Sequence, residues 1–273
     1  LGDGFSTPSI ANGRVFVMGN VGGDECLLAL SEQDGRRIWS AKLGKGGEAG
    51  GFAGPRSTPT VDGVNVYALG VFGELICANV EDGKVIWRKN LPADFGGSVG
   101  GWGYCESVLI DGDELICSPG GKTTFAKLNK KDGEVIWKTQ VPNGDQAHYA
   151  SSITVEIAGV RQYVNFLSGG VVSVAAKDGK FLWRYDAPHN NTANCSTAVY
   201  ADDHVFAASA YSTGGGTAKI TASDGNFSAE QVFFSRNMKN HHGGIILLEG
   251  YVYGSNEGLM TCLDFKTGKV AWD

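Results

Sequence analysis

The chain has 273 residues, 42% of them hydrophobic, and a formal net charge of -6. This composition supports a sizeable core and excludes a disordered chain. It lacks the basic footprint of a nucleic-acid binder, and no apolar run approaches the ~18 residues of a membrane span. No signal-peptide pattern is present in this chain either. With 41 Gly against 7 Pro, it calls for many short strands joined by tight turns.

Taken in order, the chain repeats one pattern six times. In the first unit Ser6–Ile10 reads as a strand, Asn12-Gly13 as a hairpin turn and Val15–Met18 as a second strand. Cys26–Leu30 is a third strand, Asp34-Gly35 a turn, and Arg37–Lys42 a fourth, carrying Trp39. Asn-Gly and Asp-Gly are strong hairpin signals because their positions favour positive φ. The second unit follows suit through Ser57, Asp62-Gly63, Asp82-Gly83 and Trp87. The third runs through Cys105, Asp111-Gly112, Asp132-Gly133 and Trp137, and the fourth through Ala150, Ala158-Gly159, Asp178-Gly179 and Trp183. The fifth is worn: it carries a loose Thr213–Gly216 loop, and Phe233-Phe234 follow Asp224-Gly225 in place of the Trp. The sixth closes on Thr267-Gly268 and Trp272. Repeats are expected over about 5–43, 56–91, 104–140, 149–185, 194–234 and 242–273, as a single domain spanning 1–273.

Glycines 35, 83, 133, 179, 225 and 268 set a period in the 40–50-residue range typical of propellers and related arrays. Apolar residues recur four places before each turn: Leu30, Ala78, Leu128, Val174, Ile220 and Leu263. Small ones open each first strand: Ser6, Ser57, Cys105, Ala150, Cys195 and Gly243. A small innermost column is what converging blades require. The repeated Trp is expected to fill the gap between neighbouring sheets, each burial contributing roughly 2–3 kcal/mol. No stretch has a 3.6-residue period, so almost no helix is expected. The six Cys form no C-x-x-C pair and read as small strand hydrophobes rather than a disulfide framework. The fold class is therefore all-β: a propeller of four-stranded antiparallel blades, six in this chain.

The motif Asp-Gly-Lys-Val-Ile-Trp at 82–87, with Ser57-Thr58-Pro59-Thr60-Val61-Asp62-Gly63 before it, resembles the pyrroloquinoline-quinone-type propeller repeat. That family includes quinoprotein alcohol dehydrogenases and a bacterial lipoprotein that helps assemble outer-membrane proteins. The resemblance implies a bacterial, periplasmic or secreted protein, and eight blades in the usual member. This chain offers six without a shared first-and-last blade. Leu1-Gly2 looks like the tail of a preceding repeat, which favours a fragment of an eight-bladed parent over a six-bladed ring.

Chemistry in such a fold belongs to the loops joining the fourth strand of one unit to the first of the next. These loops hold His148, His189, His241, His242 and Trp102. The residues just before the first strands include Arg56, Tyr104, Tyr149, Asn194 and His242, with Glu106 close by. Aromatic and polar groups converging there would make a binding mouth for a protein, peptide or small ligand. Metal binding is not expected, because His241 and His242 on extended backbone would point apart and no carboxylate stands at ligand spacing. The dehydrogenases of the family press two adjacent Cys against the quinone and hold calcium with Glu, Asn and Asp. Here no Cys-Cys pair exists, and only Glu106 and Asn194 stand in plausible places. The expectation is a non-catalytic binding scaffold needing no cofactor. The alternative is a quinone- and calcium-dependent alcohol dehydrogenase.

Overall fold

The computed structural model describes all residues, 1–273. The chain divides into two compact units, residues 1–140 and 141–273, each holding three four-stranded antiparallel sheets. In every sheet the strands follow chain order, so each blade is a simple meander.

In the first unit, blade one contains β1 (Ser9–Ala11), β2 (Arg14–Val21), β3 (Asp24–Ser31) and β4 (Arg37–Lys45). A two-stranded hairpin, β5 (Glu48–Ala49) and β6 (Phe52–Ala53), leads to blade two: β7 (Thr60–Asp62), β8 (Asn65–Leu69), β9 (Glu74–Asn79) and β10 (Val85–Asn90). One turn of helix, α1 (Leu91–Phe95), precedes blade three: β11 (Leu109–Asp111), β12 (Glu114–Cys117), β13 (Phe125–Asn129) and β14 (Val135–Thr139). The second unit contains blade four, β15 (Ile153–Ile157), β16 (Val160–Leu167), β17 (Gly170–Ala175) and β18 (Phe181–Tyr185). Blade five is β19 (Val199–Ala201), β20 (His204–Ser209), β21 (Gly214–Ser223) and β22 (Asn226–Ser235). Blade six is β23 (Ile246–Leu248), β24 (Tyr251–Asn256), β25 (Leu259–Asp264) and β26 (Val270–Trp272).

The recurring Asp-Gly is explained by its hydrogen bonds. The Gly N–H donates to the carbonyl four residues back, as in Gly35 to Ser31, Gly83 to Asn79 and Gly133 to Asn129. The Asp side chain accepts the N–H two residues on, at 3.2 Å for Asp34, 3.0 Å for Asp82 and 2.9 Å for Asp132. Gly then supplies the left-handed φ of about +71 to +74°.

The Trp finishes the motif by docking on the next blade. Trp39 donates Nε1–H to Val80 O at 2.9 Å, and its ring covers Gly83 of blade two. Trp87 donates to Lys130 O at 3.0 Å and covers Gly133 of blade three. Phe233 stands at the same register in blade five and covers Gly268 of blade six. The interblade cores are correspondingly apolar, with Phe16, Leu27, Trp39, Val66 and Ile76 packed together in the first unit.

Four details differ from the sequence reading. First, the first strands start three or four residues later than expected. The small residues before them lie in extended segments that bond to the neighbouring blade: Ser6 Oγ donates to Ser57 O at 2.8 Å, and Thr58 N to Ser107 Oγ at 3.0 Å. Second, in blades two and three the hairpin loops are Gly63-Val64 and Gly112-Asp113, with positive φ at the first position alone, a type II′ pattern. Third, Gly214–Gly216 is not a loop but the start of β21. Glycine is needed there because a Cβ on Gly216 would lie 2.3 Å from Tyr185 Oη and one on Gly215 2.7 Å from the Phe206 ring. Asp224-Gly225 is a two-residue turn with positive φ at both positions, so β21 and β22 pair at nine positions, from Ser223 opposite Asn226 to Gly215 opposite Ser235. The Trp183 indole therefore has no turn glycine beneath it, and donates instead to Gln162 Oε1 at 2.8 Å within its own blade. Fourth, Trp137 is only half-buried, whereas Trp39, Trp87 and Trp183 are buried.

Candidate functional site

The nine candidate residues fall in both units. Arg56, Trp102, Tyr104 and Glu106 lie in the first; His148, Tyr149, His189, Asn194 and His242 lie in the second.

In the first unit the β5–β6 hairpin is the focus. Arg56 holds it from beneath, donating to Gly54 O at 2.7 Å, Ala49 O at 2.8 Å and Phe52 O at 2.9 Å. Its guanidinium also lies 5.8 Å from the Phe5 ring centre, and Phe5 meets Phe52 edge-on at 6.0 Å. Phe5 and Phe52 are 59% and 51% exposed. Trp102 closes over Gly50 in the hairpin turn, where φ is +60° and a Cβ would collide with the indole at 2.4 Å. Arg56 and Trp102 thus shape a loop that presents aromatic rings outward. Tyr104 and Glu106 do not reach this surface. Tyr104 is buried, with its hydroxyl on Pro119 O at 2.9 Å, and burial raises its pKa. Glu106 is buried and accepts the Ser118 N–H, and burial pushes its carboxyl up to about 7 against that stabilising bond.

In the second unit His148, Tyr149 and Asn194 meet. The His148 ring stacks on Tyr149 at 5.1 Å, and Tyr149 N donates to Asn194 O at 3.1 Å. Asn194 N donates to His148 Nδ1 at 3.2 Å, which makes Nδ1 an acceptor and places the neutral ring's proton on Nε2. Burial, helped by neighbouring His189, drops the His148 pKa to about 4, so this imidazole is neutral near pH 7. The Asn194 amide is fully occupied: Nδ2 donates to Leu167 O and Ser168 O, and Oδ1 accepts Asn190 N. His189 Nδ1–H donates to Asp186 O at 2.6 Å.

His242 stands apart, exposed, and the expectation that it diverges from His241 is wrong. The two rings stack with centroids 3.7 Å apart and planes at 25°. The chain bends at His242-Gly243 instead of running extended, so consecutive side chains share a side. Tyr211 meets His241 edge-on at 5.0 Å, and burial, with His242 beside it, lowers the His241 pKa. Cys195 lies near the same rings, and burial pushes its thiol up to about 11.

The sequence reading missed several of these groups. Cys195 and Cys105 are half-buried and outside strands, unlike the other four Cys, and all six are free thiols. Nothing in the spacing links Cys195 to His241, 46 residues away. Glu25 was missed too. It is buried, accepts Val71 N at 3.0 Å, and lies so close to Gly70 that a Cβ there would be 2.1 Å from Oε2. Burial pushes its carboxyl up to about 7.

The repeated sequence matches a known family. The model of the outer membrane protein assembly factor BamB matches residues 23–273. The chain belongs to this BamB family. It is 33% identical over 111 residues to BamB of Salmonella typhimurium, covering 38% of this chain and 26% of that protein. It is 30% identical over 128 residues to BamB of Xanthomonas campestris, covering 46% and 28%. The chain thus spans little more than a quarter of the curated relatives' length. Among solved structures, BamB from Moraxella catarrhalis matches with a TM-score of 0.63 at 15% identity, over 97% of this chain and 71% of that one. A europium-containing methanol dehydrogenase matches with 0.66 at 12% identity, over 97% and 68%. Both share its propeller fold.

The neighbouring dehydrogenases raise the question of a quinone with calcium, and the donor set here does not fit it. Calcium takes six to eight oxygen ligands that must be free to converge on it. Glu106 is buried on a backbone amide, and both ends of the Asn194 amide are bound within the fold. Arg56, the cation a tricarboxylate would need, is committed to three carbonyls. No adjacent Cys pair exists in the sequence.

Proposed function

We propose that this chain is a non-catalytic propeller that binds a partner protein in outer-membrane protein assembly, on the periplasmic side. One observation carries the reading: Asn194 and Arg56 spend their polar atoms on backbone inside their own unit, and Glu106 is buried there against Ser118. The family membership supports the same conclusion, since the family is that of an outer-membrane protein assembly factor. The binding surface in the first unit is the β5–β6 hairpin, where Phe5 and Phe52 expose apolar rings beside a fixed cation. Exposed aromatics on a rigid loop are the usual anchors of protein interfaces.

Two measurements test it. The purified chain, mixed with pyrroloquinoline quinone and calcium, is expected to show no stoichiometric uptake and no alcohol-dependent dye reduction. Uptake followed by turnover would overturn the scaffold reading. In cross-linking on cell-envelope extract, the wild-type chain is expected to retain an assembly component that Phe5→Ser/Phe52→Ser loses. These exposed positions are the appropriate control, because replacing buried Tyr104 would disturb folding. Equal capture by both forms would remove the hairpin from the interface.

A further inference from the structure

The second unit holds a cluster that the scaffold reading leaves unused. We propose that Cys195, His241 and His242 form a binding site for a borderline transition-metal cation, zinc(II) foremost, through one thiolate sulfur and two imidazole nitrogens. Their ligand atoms all lie within 4.8 Å of one another. A tetrahedral zinc with bonds of about 2.0–2.3 Å holds its donors roughly 3.3–3.8 Å apart. Reaching that spacing requires the two stacked rings, now at 25° to each other, to turn so that their in-plane nitrogen lone pairs converge on one ion.

Three features make this more than a chance approach. The donor set is selective: one thiolate with two imidazoles suits zinc and copper and is poor for calcium or magnesium. The two chain segments are locked together beside the ligands. Asn240 Nδ2 donates to Ser196 Oγ at 2.6 Å, and Ser196 Oγ in turn reaches His241 O and Gly243 O, both at 3.4 Å. Asn240 and Ser196 are 1% and 2% exposed and each adjoins a ligand, Asn240 preceding His241 and Ser196 following Cys195. Tyr211 holds the His241 ring plane from its edge at 82°. Finally, the site is reachable: Cys195 and His241 are half-buried and His242 is exposed. With three protein ligands, the fourth position remains for water or for a donor from a partner.

Cobalt(II) is the test ion, because thiolate coordination gives it a near-ultraviolet charge-transfer band. The reduced chain, titrated anaerobically, is expected to bind one cobalt with that band and visible ligand-field bands, and to release it to one equivalent of zinc. Cys195→Ser is expected to abolish the charge-transfer band, and His241→Ala or His242→Ala to prevent saturation at one equivalent. Cys105→Ser, altering the other half-buried thiol, is expected to change nothing. Asn240→Ala, which loosens the ligand loop, is expected to weaken binding by about tenfold or more. A second readout is independent of cobalt: zinc is expected to protect Cys195, and not Cys105, from alkylation mapped by mass spectrometry. Far-UV spectra of the variants confirm folding. A cobalt band that survives Cys195→Ser, or alkylation of Cys195 unchanged by zinc, would overturn the proposal and leave the paired rings as packing alone.

Discussion

Gly35 and Gly83 occupy the same position of the same turn in the first unit, and both have φ of +71°. They differ in what lies above them. A Cβ on Gly35 would meet nothing within 4 Å, whereas one on Gly83 would lie 2.5 Å from the Trp39 ring. Gly35→Ala therefore bears only the cost of a left-handed alanine, about 1–2 kcal/mol. Gly83→Ala bears the same cost plus overpacking against a fixed indole, about 1–3 kcal/mol more. The indole cannot step aside freely, because its Nε1–H is bound to Val80 O at 2.9 Å. With a urea m-value of about 2 kcal/mol/M, the two variants should differ in midpoint by roughly 0.5–1.5 M. Urea melts followed by tryptophan emission measure this at unchanged m. In a Trp39→Leu background the gap should shrink, since the colliding ring is gone. Equal midpoints for the two alanine variants in the wild-type background would refute the idea that Trp docking on the next blade's glycine sets the interblade fit.

Stability should fall as pH rises from about 4.5 to 7. The unfolded Glu106 carboxyl ionises near 4.5 while the buried one holds its proton to about 7, so across that window the unfolded chain is favoured, by up to about 3 kcal/mol. Glu25, raised likewise to about 7, adds to this fall, and His148, lowered to about 4, opposes it. Glu106→Gln, which keeps an acceptor for Ser118 N, should therefore make the slope less negative by up to one proton's worth in melts run from pH 4.5 to 7.5; an unchanged slope would show that Glu106 is ionised in the fold. Gly216→Ala should destabilise by about 1–3 kcal/mol, and Tyr185→Phe should recover part of the loss by removing the hydroxyl 2.3 Å from the new methyl; additive losses in the double variant would contradict this. Trp183→Ala should cost about 3–5 kcal/mol, since it empties a buried site and strips Gln162 Oε1 of a donor. Trp137→Ala should cost clearly less, because Trp137 is half-buried, and equal losses would show that exposure does not govern the value of the repeat Trp.

The sequence by itself determined the blades. Six Asp-Gly or Thr-Gly turns in phase, apolar positions four residues before them, and a Trp or Phe after them are local signals. Each is decided within about ten residues by turn hydrogen bonds and strand alternation. That is also why the worn fifth unit was legible as a repeat even though its turn type was not: Asp224-Gly225 closes a two-residue hairpin, a distinction resting on ladder register rather than on composition. Tertiary structure decided everything that depends on what lies across a gap. Gly214–Gly216 reads as a loop until Tyr185 and Phe206 show why only glycine fits the strand. Arg56 and Asn194 read as ligand groups until their partners prove to be backbone carbonyls and amides. Cys195, His241 and His242 read as a buried hydrophobe and two diverging rings. They become one cluster because Asn240 and Ser196, 44 residues apart, join the two segments and the chain bends at His242-Gly243. A polar side chain's role is set by whether its bonds are already spent, and the partners that spend them are distant in sequence.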